Sequence, residues 1–293
     1  MARKRKAEEL DDGDGKSSAK PEDVNHSVLG GMKGGYRTDG EAKNASVESI
    51  RVPFNDKAII CERRVEASQQ PALIFTHGAG GGIANPATAE FANGFADILP
   101  VVCFQGTMNL QNRTKTFHSV IEHESFDTAL GGRSMGARAA VVAATQEERE
   151  TKTLVLVSFP LVGGKKRESR EQVLLDLTEG VDVLFMIGSD DAQCDLSHLW
   201  NVMAKMTARS WLCEVEGADH GMSWKPKNSV EAMRRKTGTI AAEWLKKRDQ
   251  GRRYSCVRPN EEAEDVRFEN WRSDDRVASD QDPGPKTKKR SKN

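Results

Sequence analysis

The 293-residue sequence has no apolar run long enough to span a bilayer and no N-terminal secretory segment, so no membrane insertion is expected. It also lacks a net charge. Lys and Arg total 44 and Asp and Glu total 44, which gives no basic body for gripping nucleic acid. The five cysteines, Cys61, Cys103, Cys194, Cys213 and Cys256, are odd in number, scattered and without C-x-x-C spacing. This excludes a disulfide framework and fits small core residues in a reducing intracellular compartment, nuclear or cytoplasmic. No histidine stands at metal-ligand spacing with a cysteine or carboxylate cluster, and Asp11-Asp12-Gly13-Asp14-Gly15 lacks the later glutamate of a calcium loop. No metal and no cofactor are therefore expected, and no internal repeat is visible.

Charged and small polar residues are concentrated at the ends. Residues 1–45 carry Arg3-Lys4-Arg5-Lys6, an acidic cluster and many Gly and Ser, and residues 250–293 end in Lys286-Thr287-Lys288-Lys289-Arg290-Ser291-Lys292. Neither has apolar periodicity enough to offset the entropy of ordering, so both are expected to be disordered and dispensable for folding. Their basic clusters are candidate nuclear-localisation signals. Residues 46–249 remain as one domain of ordinary size.

Within that domain apolar β-like runs alternate with helical patterns. Ser49 to Phe54 and Lys57 to Val65 predict an antiparallel hairpin turning at Asn55-Asp56. Strands are then expected at Ala72 to Thr76, Val101 to Phe104, Ser125 to Leu130, Leu154 to Phe159, Val181 to Ile187 and Trp211 to Val215. Helices are expected at Pro86 to Ile98, Lys115 to Glu124, Met135 to Glu150, Ser169 to Leu177, from about His198 toward Met206, and at Val230 to Leu245. Alternation of this kind implies a mostly parallel, doubly wound sheet with helices on both faces.

The chemistry is carried by Leu130-Gly131-Gly132-Arg133-Ser134-Met135-Gly136-Ala137, which holds G-x-S-x-G between an apolar run and an Ala-rich helix. A serine on such a strand-to-helix turn exposes its Oγ, and small neighbours leave room for a substrate. Ala137, Ala140, Val141 and Ala144 share one helical face small enough to pack closely on a sheet. Downstream, the strand at Val181 opens into Gly188-Ser189-Asp190-Asp191, and the strand at Trp211 runs into Gly217-Ala218-Asp219-His220-Gly221. Serine, acid and histidine thus follow in the order of an α/β-hydrolase, each just past a strand. A hydroxyl becomes a nucleophile when an imidazole takes its proton, and a carboxylate fixes that imidazole's tautomer. Ser134 and His220 fill two roles; the acid is Asp191, with Asp190 as the alternative. The loop His77-Gly78-Ala79-Gly80-Gly81-Gly82, after the strand at Ala72, supplies the oxyanion hole through Ala79 or Gly80, together with the N–H of Met135. The same loop resembles a dinucleotide fingerprint at Gly78 and Gly80, but Ile83 replaces the third glycine. His77 is read as structural, bonded within its loop, and His118 and His123 as surface or boundary residues.

Several of these pieces together resemble one family. His77-Gly78-Ala79-Gly80-Gly81, Phe104 through Gly106, Asn109 to Arg113, Gly131-Gly132-Arg133-Ser134-Met135-Gly136, Ser158-Phe159-Pro160-Leu161, Gly188-Ser189-Asp190-Asp191 and Asp219-His220 are similar to a particular α/β-hydrolase-like domain. It is the domain shared by the testis-expressed hydrolase-like proteins and subunit 3 of the non-specific-lethal histone-acetyltransferase complex. The resemblance spans about Val47 to Lys247 and leaves both tails unmatched. It implies that the acid is the fourth residue of G-S-x-D, which is Asp191. It also implies a fold that can serve as a scaffold for a protein partner.

The stretch Leu161 to Thr178, where related folds insert a lid, is short and charged. A minimal lid implies an open site for a small-molecule acyl substrate. The sequence therefore predicts an α/β-hydrolase fold acting on a small ester, thioester or amide through an acyl-enzyme. The alternative is a non-catalytic interaction module of a nuclear, chromatin-associated complex.

Overall fold

The computed structural model describes residues 47–64, 69–124, 128–146, 151–164, 166–260 and 265–273. The N-terminal segment 1–45, both basic clusters and the Asp11 to Gly15 run lie outside the described residues. In chain order the elements begin with β1 (Val47–Phe54), β2 (Lys57–Arg64), β3 (Leu73–Thr76), α1 (Pro86–Ala96), β4 (Val101–Phe104), α2 (Leu110–Glu124), β5 (Ala129–Arg133) and α3 (Met135–Thr145). They continue with β6 (Thr153–Val157), β7 (Val162–Gly163), β8 (Glu168–Ser169), α4 (Gln172–Leu175), β9 (Asp182–Gly188), α5 (Leu196–Met203), β10 (Arg209–Val215), α6 (Val230–Lys246), β11 (Tyr254–Asn260) and β12 (Asp265–Arg272).

Ten strands form one sheet in the order β1-β2-β4-β3-β5-β6-β9-β10-β11-β12. The seven from β4 to β11 are mutually parallel, and β1, β2 and β12 pair antiparallel at the margins. β3, β4, β6 and β9 are buried along their whole length, which is why they read as continuous apolar runs. Alternate residues face opposite layers. Ile74, Leu130, Leu156, Phe185 and Leu212 pack toward α2, α3 and α5, whereas Phe75, Val155, Met186, Trp211 and Cys213 pack toward α1 and α6. The fold is an α/β-hydrolase fold.

α1 starts where the Asn85 side chain accepts the Ala87 N–H at 3.0 Å, with Pro86 preset at the first helical position. It then lies unusually close to α6. A Cβ on Gly94 would stand 1.8 Å from the Arg235 carbonyl oxygen, and one on Gly238 would stand 2.0 Å from that of Phe91. Backbones that approach this far need glycine at both crossings.

Several boundaries differ from those expected. α2 begins at Leu110 rather than Lys115, because the Asn109 side chain caps it by accepting the Asn112 N–H at 2.9 Å. The strand expected at Ser125 to Leu130 is β5, shifted to Ala129–Arg133; residues 125–127 lie outside the described residues. In the lid stretch, the helix expected at Ser169 to Leu177 is the four-residue α4, preceded by the two-stranded ribbon of β7 and β8.

The largest correction concerns the C-terminus. Residues beyond 249, expected to be disordered, add two strands to the sheet. β11 lies parallel to β10, with Leu212 opposite Tyr254 and Val215 opposite Val257. Tyr254, Cys256 and Val257 are buried there, and Tyr254 donates its hydroxyl to Glu214 Oε2 at 2.8 Å. Four consecutive buried residues suffice when a finished sheet offers an open edge, although they carry too little apolar surface to announce a strand by themselves.

Candidate active site

Ser134 stands between β5 and α3 with φ 52° and ψ −112°. A non-glycine residue held there costs on the order of 1–3 kcal/mol, so its neighbours must enforce the turn. Gly132 and Gly136 do so by contact. A Cβ on Gly132 would meet the Gly136 carbonyl carbon at 2.3 Å, and one on Gly136 would meet the Thr76 carbonyl oxygen at 2.5 Å. The Ser134 N–H donates to the Val157 carbonyl at 2.9 Å, which pins the turn to the end of β6.

The turn delivers Ser134 Oγ to 2.8 Å from His220 Nε2. On the other side of the ring, His220 Nδ1 lies 2.9 Å from both oxygens of Asp191. The Asp191 carboxylate is buried and also accepts the Gln193 N–H at 2.8 Å. With the carboxylate accepting from Nδ1–H, Nε2 is left as the acceptor for the serine proton. Asp190 is exposed, with its carboxylate 3.3 Å from Ser189 Oγ, so Asp191 and not its neighbour meets the imidazole.

The loop after β3 borders the serine. A Cβ on Gly78 would lie 3.5 Å from Ser134 Cβ. Ala79 and Gly80 follow on the exposed stretch of this loop, and Met135 is the first residue of α3. His77 is engaged within the loop. Its Nδ1–H donates to the Gly78 carbonyl at 2.7 Å, and Nε2 accepts the Gly106 N–H at 3.0 Å. Burial, followed by the nearby Arg113 guanidinium, lowers the His77 pKa, in keeping with a neutral ring.

Sequence reasoning missed the arginines that brace these loops. Arg113 is wholly buried; it donates to the Thr107 carbonyl at 2.8 Å, to that of Gly78 at 3.2 Å and to that of His77. Burial pushes its pKa down to about 10. Arg133 donates to the His220 carbonyl at 2.6 Å, and Arg234 reaches the carbonyls of Met222 at 2.8 Å and Gly221 at 3.3 Å. Burial lowers the pKa of both. The serine motif includes Arg133 and the resemblance includes Arg113, but no local pattern gives either a role, and Arg234 stands in no motif. The five cysteines are all buried and free, and burial raises Cys61, Cys103 and Cys213 to about 12, so none offers a thiolate. Among the described residues no three His, Cys, Asp or Glu side chains cluster to hold a metal, and no helix is long and apolar enough to cross a membrane.

Comparison with known proteins agrees with this architecture. Residues 69–247 match the sequence model of the alpha/beta hydrolase domain, and the chain belongs to that family. Est1E from Butyrivibrio proteoclasticus is 13% identical, with TM-score 0.54, over 68% of this chain and 99% of its own. Dienelactone hydrolase from Anabaena variabilis ATCC 29413 is 12% identical, with TM-score 0.55, over 69% and 98%. The thioesterase domain from the curacin biosynthetic pathway is 13% identical, with TM-score 0.52, over 69% and 100%. At these identities the likeness is one of fold. The matched segment runs from residue 69 to 247, so β1 and β2 precede it and β11 and β12 follow it.

Proposed function

We propose that this protein is a serine hydrolase that cleaves a small ester, thioester or amide through an acyl-enzyme on Ser134. The observation that carries the reading is the unbroken relay from Ser134 Oγ through His220 to Asp191, at 2.8 and 2.9 Å, on a strained strand-to-helix turn. Ser134 Oγ attacks the acyl carbon while His220 Nε2 takes its proton, and Asp191 stabilises the imidazolium so formed. Collapse of the tetrahedral adduct expels the alcohol, thiol or amine, which leaves with the proton from His220. Water then gives a proton to His220, adds to the acyl-enzyme and releases the carboxylic acid, and Ser134 recovers its proton.

The oxyanion requires N–H donors aimed at it. Met135 supplies one from the first turn of α3. Of the two loop candidates, peptide geometry favours Ala79. The Gly78 carbonyl is held by His77 and Arg113, and the next N–H in a trans peptide points the opposite way. Within the family, we place the chain with the testis-expressed hydrolase-like proteins and the non-specific-lethal complex subunit, on the resemblance of its G-G-R-S-M-G block. We assign the terminal basic clusters to nuclear targeting, which loss of nuclear accumulation on their removal would test.

The decisive experiment is covalent labelling with a fluorophosphonate, which reacts quickly only with an activated hydroxyl. Wild-type protein should label at Ser134, and Ser134→Ala should not label while unfolding at a similar Tm. Labelling of the alanine variant, or none of the wild type, overturns the assignment.

A further inference from the structure

Two arginines stand on elements that flank the proposed nucleophile, Arg138 on α3 and Arg170 just past β8. Arg138 lies one helical turn beyond Ser134, and its N–H donates to the Ser134 carbonyl at 3.1 Å. Met135, the first residue of α3, shares a helix face with Arg138 by its spacing of three. Arg138 therefore lies on the Met135 face of α3, within one turn of the serine.

Arg170 arrives from the lid. Its N–H donates to the Leu161 carbonyl at 2.8 Å, and its guanidinium lies over Gly163 of β7, where a Cβ would meet Nη2 at 1.8 Å. The ribbon carrying it is fastened to the loop of the acid. The Val162 N–H donates to the Gln193 carbonyl at 3.0 Å, and Arg167 donates to that of Ala192 at 3.2 Å. The ribbon thus bridges from the end of β6, where Ser134 is pinned, to the Asp191 loop. Arg170 sits along that bridge.

Arg138 and Arg170 are both half-buried, and among the described residues neither side chain has a hydrogen bond or an ion pair. Burial lowers the Arg138 pKa and Arg170 lowers it further, with no acidic group acting against them. Like charges brought together and partly stripped of water are unfavourable until an anion joins them. A planar guanidinium is suited to carboxylate or phosphate oxygens. Neither arginine has a part in the acyl-transfer steps.

We infer that Arg138 and Arg170 form an anion subsite beside Ser134, and that the substrate carries a carboxylate or phosphate on its acyl portion. This rests on the hydrolase reading and adds the substrate class to it. A dicarboxylate hemiester fits, as does a phosphorylated acyl group.

The test is protection of Ser134 in the full-length protein. Glutarate and inorganic phosphate are compared with neutral glutaramide for slowing fluorophosphonate labelling, in wild type, Arg138→Gln, Arg170→Gln and the double variant. The wild type should be protected by an anion at concentrations where glutaramide has no effect. Each single variant should weaken that protection roughly ten- to hundredfold, the usual effect of losing one charged hydrogen bond. Arg138→Lys should retain part of it. The preference between glutarate and phosphate identifies the acyl-borne group. Equal protection by glutaramide, or protection unchanged in the double variant, overturns the proposal. Absence of labelling in wild type counts against the hydrolase reading instead, and the subsite is then read from the rise in Tm that glutarate or phosphate produces. No rise in wild type, or an equal rise in the double variant, overturns it.

Discussion

Replacing Arg113 by methionine tests whether a buried cation shapes the loop beside Ser134. The side chain is wholly buried and feeds three carbonyls, those of Thr107, His77 and Gly78. Hydrogen bonds from a charged donor contribute about 1.5–3 kcal/mol each, and a carbonyl left buried without a partner costs about 1–3 kcal/mol. Against this, methionine removes a guanidinium whose burial is itself unfavourable, as its lowered pKa records. We expect a net loss of about 3 kcal/mol, which for a domain of this size lowers Tm by roughly 6–12 °C. The loop should also relax, since the Gly78 carbonyl that sets the Ala79 N–H is freed from one of its two holders. Fluorophosphonate labelling should therefore slow by more than the unfolded fraction explains. Arg113→Lys keeps the charge but not the fork, and should recover only part of each effect. Calorimetry and labelling kinetics on the same samples give both readouts. A Tm within about 2 °C of wild type together with unchanged labelling would refute the reasoning.

Asp191→Asn should reduce turnover by on the order of ten-thousandfold, because an amide favours the wrong imidazole tautomer, while the exposed Asp190→Asn should be nearly silent; the reverse ranking in steady-state kinetics would reassign the acid. Burial and Arg113 hold the His77 pKa below its ordinary value, so the unfolded chain binds the extra proton more readily. The His77 contribution to stability is thus complete above about pH 6.5 and lost as pH falls toward the folded value. Tm should fall less on acidification in His77→Gln than in wild type, and parallel curves would reject this. Ending the chain at Asp249 deletes the buried Tyr254, Cys256 and Val257, and should lower Tm by roughly 10 °C. An unchanged Tm would make the C-terminal strands dispensable, as the sequence had suggested.

Legibility in the sequence followed burial. β3, β4 and β9 are apolar over nearly their whole length and β10 from Trp211 to Cys213, so each read as a strand, and Ser134, Asp191 and His220 could be found because each lies just past a strand or the turn that ends it. Position relative to a strand end carried the site, more than the pentapeptide did. What stayed hidden was polar or short. Arg113 and Thr114 are buried in the first turns of α2, yet Leu-Gln-Asn-Arg-Thr looks like a solvated surface. The two-residue strands β7 and β8 have no period to detect. β11 exists because β10 presents an edge, a property of the assembled sheet and not of Tyr-Ser-Cys-Val.

The arginines follow a common logic that no local pattern could encode. Arg113 holds carbonyls of the loop after β3, while Arg133 and Arg234 hold those of His220, Gly221 and Met222 on the opposite side of Ser134. A carbonyl oxygen facing a developing oxyanion would repel it, whereas an N–H would attract it. Tying the carbonyls to guanidiniums fixes the orientation of each peptide before any substrate arrives, so no reorganisation is left for the reaction step. An acid could not do this, because it would compete for the same N–H groups. The arrangement costs stability, since burial lowers the pKa of all three arginines, and the backbone of Ser134 adds strain of its own. Such costs gather around one serine, while the sheet beneath is an apolar core of ordinary kind. That separation is expected where stability is spent locally for a chemical purpose and recovered by packing elsewhere.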